Sequence, residues 1–273
     1  MSITTTPENE SFELQETVSD GSRERSSGIR RSGTTTIASR RSMLIIPPLV
    51  LALVIIMSWL ISTATGRVPD FIIPAPRDVF ATLLDGLQTG LFLNNALVTL
   101  QESLLGFLLG VIIALPLGFA IAKSRLFAAT VQPYLAVGQA IPAIVIAPIL
   151  VIWLGYGLFP ITILCMLVVL FPMVITTALG VQTIDNIYTD AARVEGASGW
   201  SMLAHIEFPL ALPAILAALR IGLTLSITGA LVGEFVNNSA QGLGALVFEA
   251  KDQLNTPLLF ATLIILAVLA ALY

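Results

Sequence analysis

Residues 190–213 read DAARVEGASGWSMLAHIEFPLALP, a polar stretch set between two strongly apolar runs. It reads as a helix, a glycine break, a second helix and a proline stop. Asn186 or Thr189 is placed to cap the first helix, with Asp190 in its first turn, where a negative charge suits the helix dipole. Ala191 and Ala192 carry almost no side chain, so another protein surface can approach them closely. Gly196 suits the left-handed backbone that closes a helix, because it has no Cβ to clash. Ser198 is placed to cap the second helix, which is expected to reach about Glu207. Pro209 has no backbone N–H and disfavours helix in the residue before it, so the chain is expected to stop and reset there.

Outward from this loop, Ile161–Leu179 precedes it and Leu210–Val232 follows it. Each run is long enough for a helix to cross a hydrocarbon layer about 30 Å thick. The whole chain agrees: of its 273 residues, 56% are hydrophobic and 11% charged, with mean hydropathy +0.92. A soluble domain carries about 25% charge, so lipid must cover most of this fold. The net charge of −4 is spread out and offers no clustered basic face for nucleic acid. One cysteine, Cys165, and one histidine, His205, are too few for a His/Cys metal centre, which needs three or four ligands. No Gly-Lys-Ser/Thr phosphate loop exists, since the lysines fall in Ala122-Lys123-Ser124 and Ala250-Lys251-Asp252. No Gly-x-Ser-x-Gly elbow supports a nucleophile. The chain is therefore not expected to be an enzyme, to hydrolyse ATP itself or to bind a cofactor.

Residues 1–42 form a polar tail, acidic at Glu8, Glu10, Glu13, Glu16, Asp20 and Glu24, then basic at Arg25, Arg30, Arg31, Arg40 and Arg41. It lacks the apolar residues for a core and is expected to be disordered and cytoplasmic. Residues 43–273 form the membrane domain. Met43–Ser62 is the first expected span, with Pro47 and Pro48 near its start. Residues 66–95 are expected outside, where Val79, Phe80, Leu83, Leu84 and Leu87 recur at the spacing of an amphipathic interfacial helix. In the second span, Leu104–Ala122, small residues at Gly106, Gly110, Ala114, Gly118 and Ala122 give one smooth face for close helix packing. The third, Tyr134–Leu154, contains Gln139, Pro142 and Pro148. Its prolines free backbone carbonyls that need partners or a water-lined cavity, which makes these residues candidates for a translocation path. The fourth is Ile161–Leu179. The fifth, Leu210–Val232, holds Arg220, and an intramembrane arginine is a candidate anchor or gate. Glu234 is expected near the outer mouth, before a Gly242-Leu243-Gly244 turn, and Pro257 opens a sixth segment.

Near the expected spans, the tail arginines, Lys123, Arg125 and Arg193 lie on one side, against Arg67, Arg77 and Lys251 on the other. By the positive-inside rule the N-terminus and the central loop, about residues 181–209, are cytoplasmic. The expected fold is an all-α integral membrane protein of six transmembrane helices.

The loop resembles the cytoplasmic coupling loop of permease subunits in binding-protein-dependent ABC importers. That pattern is Glu-Ala-Ala, three residues, Gly, nine residues, Ile, one residue, Leu-Pro. Here Asp190-Ala191-Ala192, Gly196, Ile206 and Phe208-Pro209 keep every spacing, with Asp for Glu and Phe for Leu. The segments PDFIIPAP ending at Pro76, IPAIVIAP over 141–148, and ITGALVGEF with GLG extend the likeness to the branch that imports nitrate, sulfonates, taurine or heterocyclic vitamin precursors. Gly229, Gly233-Glu234-Phe235 and Leu272-Tyr273 lean toward heterocycles.

The resemblance implies type I ABC importer architecture in a bacterial inner membrane, with solute passing by alternating access. Asp190, Ala191, Ala192, Arg193, Gly196, Ile206, Phe208 and Pro209 would couple to a separate ATPase subunit, which binds ATP and Mg. An extracytoplasmic substrate-binding protein and a second permease copy, expected as a homodimer, would complete the machine. The family pattern also runs on past this sixth segment. An alternative is an ion-gradient-driven secondary transporter using Arg220, Glu102 and Glu234 as a relay, but the inverted repeats common in that class are not apparent.

Overall fold

A computed structural model describes residues 37–65, 69, 71–237 and 241–272. The tail over 1–36, together with Arg67 and Asp70, lies outside the described residues. By internal contacts the chain forms two units, residues 1–55 and residues 56–273. The described part of the first is helical and contains Pro47 and Pro48; the second holds everything discussed below.

Helices dominate the described residues: α1 Ile37–Ala64, α2 Pro76–Gln88, α3 Leu91–Lys123, α4 Arg125–Ala140, α5 Ala143–Leu154, α6 Leu158–Gln182, α7 Asn186–Val194, α8 Gly199–Met202, α9 Phe208–Val236, α10 Leu243–Asp252 and α11 Thr256–Leu272. Three helical stretches are long and apolar enough to cross a membrane: α3, α6 and the continuous run Gly199–Val236; Val50–Ala64 and Thr256–Leu272 are apolar but shorter. The amphipathic segment expected outside is α2. It starts on Pro76, where the missing N–H costs nothing, and buries Val79 while leaving Phe80 and Leu87 exposed.

The core is a three-helix slab. α3, α6 and α9 bury ten residues each, while α4 buries one and α5 two. Small residues make this possible, as the spacing on α3 suggested. A Cβ at Gly110 would lie 3.0 Å from the Val169 side chain, one at Gly118 2.7 Å from Thr177, and one at Gly229 2.9 Å from the Cys165 backbone. α6 is thus gripped on both sides at backbone distance, where many weak dispersion contacts add up. The opposite face of α3 exposes Leu93, Leu97, Leu104, Leu108 and Ile112, an apolar stripe suited to lipid.

Two sequence expectations need correction. The third span is not one helix: α4 and α5 meet at 97° across Ile141-Pro142. Both residues are extended, with ψ 120 and 133, so the chain turns before α5 restarts. Pro209 does not stop the helix either. Leu203–Glu207 is a π turn, in which the Phe208 N–H donates to the Leu203 carbonyl five residues back. The wider turn relieves the clash of the proline ring with the preceding carbonyls, and helix runs on from Gly199 to Val236.

Candidate functional site

The polar loop is built by its caps. Asp185, not Asn186 or Thr189, caps α7, its carboxylate accepting from the Ile187 N–H at 3.0 Å. This moves the helix start upstream and leaves Asp190 mid-helix, where it pairs with Arg193 at 2.9 Å. Both are exposed, so the pair contributes only about 0.5 kcal/mol. At the other end Gly196 has φ +93. Its N–H donates to the Arg193 carbonyl at 3.0 Å and that of Ala197 to the Ala192 carbonyl at 2.9 Å. This double closure is the Schellman ending, and it needs the left-handed residue that glycine supplies. Ser198 occupies the cap position of α8 but holds it through its backbone carbonyl, with no side-chain cap.

Ala191 is exposed, but Ala192 is only 6% accessible. The second alanine therefore packs inside the loop instead of presenting a contact surface. The large apolar side chains exposed on α7 and α8 are ones the sequence pattern did not flag: Ile187, Tyr188, Val194 and Trp200, each more than half exposed. The available signal was apolar residues on an otherwise polar segment.

This loop is tied to the slab at the end of α3. Lys123 Nζ pairs with Glu207 Oε1. One turn earlier, the Phe119 ring stacks on Phe208, with centroids 6.3 Å apart and planes 19° apart. Ile206, just before Glu207, is half-buried and Pro209 is exposed. Glu207 is 5% accessible, and Lys123 supplies a counter-charge to its carboxylate. In the sequence, Lys123 carries only a topology signal.

The bend between α4 and α5 opens a cavity of about 250 Å³, lined in part by Gln139, Pro142, Phe171, Pro172 and Leu225. Two predicted path residues meet there; Pro148 lies on α5, exposed and away from this lining. Arg220 is exposed midway along α9, and no carboxylate among the described residues pairs with it.

Glu234 is 2% accessible and closes the other end of the slab. Its Oε1 accepts from Thr99 Oγ1 at 2.6 Å and its Oε2 from the Gly244 N–H at 2.5 Å. Thr99 Oγ1 in turn accepts the Leu243 N–H at 2.9 Å, and Asn95 Oδ1 accepts that of Gly242 at 2.8 Å. Side chains of α3 and α9 thus satisfy three backbone donors at the start of α10. The Gly-Leu-Gly sequence follows, because a Cβ at Gly242 or Gly244 would collide with the Glu234 carboxylate. Beside it, Asn237 donates from Nδ2 to the Gly157 carbonyl at 2.7 Å and accepts from the Gly157 N–H at 3.3 Å, fixing the turn before α6.

Residues 106–273 match the family model described as binding-protein-dependent transport system inner membrane component. The chain is 37% identical over 222 residues to a riboflavin transport system permease protein of Chloroflexus aurantiacus, covering 81% of this chain and 82% of that one. It is 27% identical over 227 residues to the taurine transport system permease protein of Escherichia coli, covering 81% and 82%. In fold it is similar to a chain of the MetNI methionine ABC transporter in inward facing conformations, with TM-score 0.60, 21% identity, and coverage of 67% of this chain and 90% of that one.

Proposed function

This chain belongs to the binding-protein-dependent transport system inner membrane components, and we propose how its parts divide the work of import. It is a multi-pass inner-membrane permease subunit of an ABC importer for a small solute, and nucleotide is bound and hydrolysed by a separate ATPase. In our reading the chain crosses six times, by α1, α3, the bent α4–α5 pair, α6, α9 and α11, with the N-terminus inside. Two copies form the path. Asp190, Ala191, Arg193, Gly196, Ile206, Phe208 and Pro209, with Ala192 as internal packing, make the coupling loop. Gln139, Pro142, Pro148, Arg220 and Glu234 remain the path candidates, with Glu234 at the outer mouth. The solute is small and polar, a heterocyclic precursor or a sulfonate-like anion, a range bracketed by the riboflavin and taurine relatives.

The observation that carries this reading is an exposed apolar face on a polar loop tied directly to the spanning slab. Ile187, Tyr188, Val194 and Trp200 present a face that a partner groove would bury. Lys123–Glu207 and Phe119–Phe208 link it to α3. ATP-driven closure of the ATPase pair would move the loop and shift the spans between two packings. The test is affinity purification in mild detergent. The intact chain should recover a phosphate-loop ATPase, and Trp200→Glu should cut recovery about ten-fold. Undiminished recovery would remove this face from the interface.

A further inference from the structure

We infer that Arg220 selects an anionic solute, an inference that rests on the importer reading above. Two polar layers bracket this residue along the slab. One is the Lys123–Glu207 pair, the other the Glu234–Thr99 pair. At 1.5 Å per residue, Arg220 lies about 20 Å along α9 from either Glu207 or Glu234. Its side chain reaches neither layer, so snorkelling to an interface is closed to it. It is exposed, with no ion-pair partner among the described residues. A bare guanidinium facing hydrocarbon at that depth is expensive, so this face of α9 must meet water or a counter-charge.

The neighbouring residues agree. Thr224 and Thr228 follow Arg220 at successive helical turns and are also exposed. The three form one exposed polar stripe on α9, whose other polar side chains, Ser226 and Glu234, are buried. Leu225, beside Thr224 in sequence, lines the cavity at the α4–α5 bend with Gln139. The two carboxylates within α3 and α9, Glu102 and Glu234, are 3% and 2% accessible and sit inside the slab. At the outer mouth, Asp252 pairs with Lys251 and Glu249 accepts from Gln253. The exposed electrostatics at mid-depth are therefore positive, one arginine per copy. A low-dielectric path carrying that charge concentrates anions and rejects cations. This favours a sulfonate- or carboxylate-bearing solute over a neutral heterocycle.

The test needs no knowledge of the solute. Cys165 is the sole native cysteine and is buried, so Thr224→Cys adds one exposed thiol. Full-length chain, with its co-purified ATPase, is placed in vesicles. It is treated with 2-sulfonatoethyl methanethiosulfonate or its cationic trimethylammonium counterpart, each rate normalised to that with free 2-mercaptoethanol. We expect Thr224→Cys to react about five-fold faster with the anionic reagent. That preference should fall to about one with Arg220→Gln and persist with Arg220→Lys. Absence of labelling by either reagent, or an unchanged preference in Arg220→Gln, overturns the inference. Failure of the importer reading shows separately, as purification of the chain without an ATPase.

Discussion

At the scale of single residues, the two glycines that matter most do different jobs. Beyond its own chain neighbours, no heavy atom lies within 4 Å of a Cβ built on Gly196, so space is not what excludes a side chain there. Its φ of +93 is. Left-handed backbone costs a non-glycine residue about 1–2 kcal/mol, and more when it is β-branched. Gly196→Val should therefore leave insertion intact but misplace α8 relative to α7. The expected readout is ATP hydrolysis that continues while solute uptake falls at least about ten-fold; full uptake would refute it. Gly242 instead makes room for the Glu234 carboxylate. Glu234→Ala would leave the Gly244 donor and the Thr99 hydroxyl without their buried acceptor, a loss of about 1–3 kcal/mol. The variant should melt several degrees below the parent in detergent. An unchanged melting temperature would show that water replaces the carboxylate.

At the scale of elements, the joint between loop and slab rests on one ion pair that is buried on one side only. Glu207 is 7% exposed at its side chain and Lys123 46%. Lys123→Met should strand the glutamate charge, destabilise the joint by about 2–3 kcal/mol and uncouple ATP hydrolysis from uptake. Adding Glu207→Gln should recover most of the loss, since no buried charge then remains. A double variant as impaired as the single one would show that the pair itself, not the stranded charge, matters. Sequence reading found this loop because its spacing is local: each cap lies within a few residues of the turn it closes. The Schellman glycine was legible, whereas the N-cap was missed because Asp185, Asn186 and Thr189 are all competent and only the helix start decides. The π turn was invisible because proline was read as a stop, and only the tertiary grip on Glu207 and Phe208 lets the helix continue. The α4–α5 bend was hidden for another reason. Hydropathy counts apolar residues and cannot sense that Ile141 and Pro142 are both extended.

At the scale of the molecule, lipid burial made the all-helical class readable from composition, and the small residues of α3 announced the slab. What composition cannot give is which parts move together. α3, α6 and α9 touch at backbone distance along their length, so the slab has little room to deform without losing contacts. The polar loop is fixed to it through α3. By contrast, α4 and α5 bury one and two residues and meet at an open bend. A displacement of the loop should therefore carry the slab as a rigid body, with the bend taking up the difference between states. Spin labels at Glu195 on the loop, Ile112 on α3 and Ile152 on α5 sit at exposed positions where they disturb little. Between nucleotide-free and ATP-trapped complexes, the Glu195–Ile112 distance should stay within about 2 Å, while Ile152–Ile112 changes by more. The reverse pattern would mean that the loop flexes against α3 and that the Lys123–Glu207 joint is a hinge, not a rod.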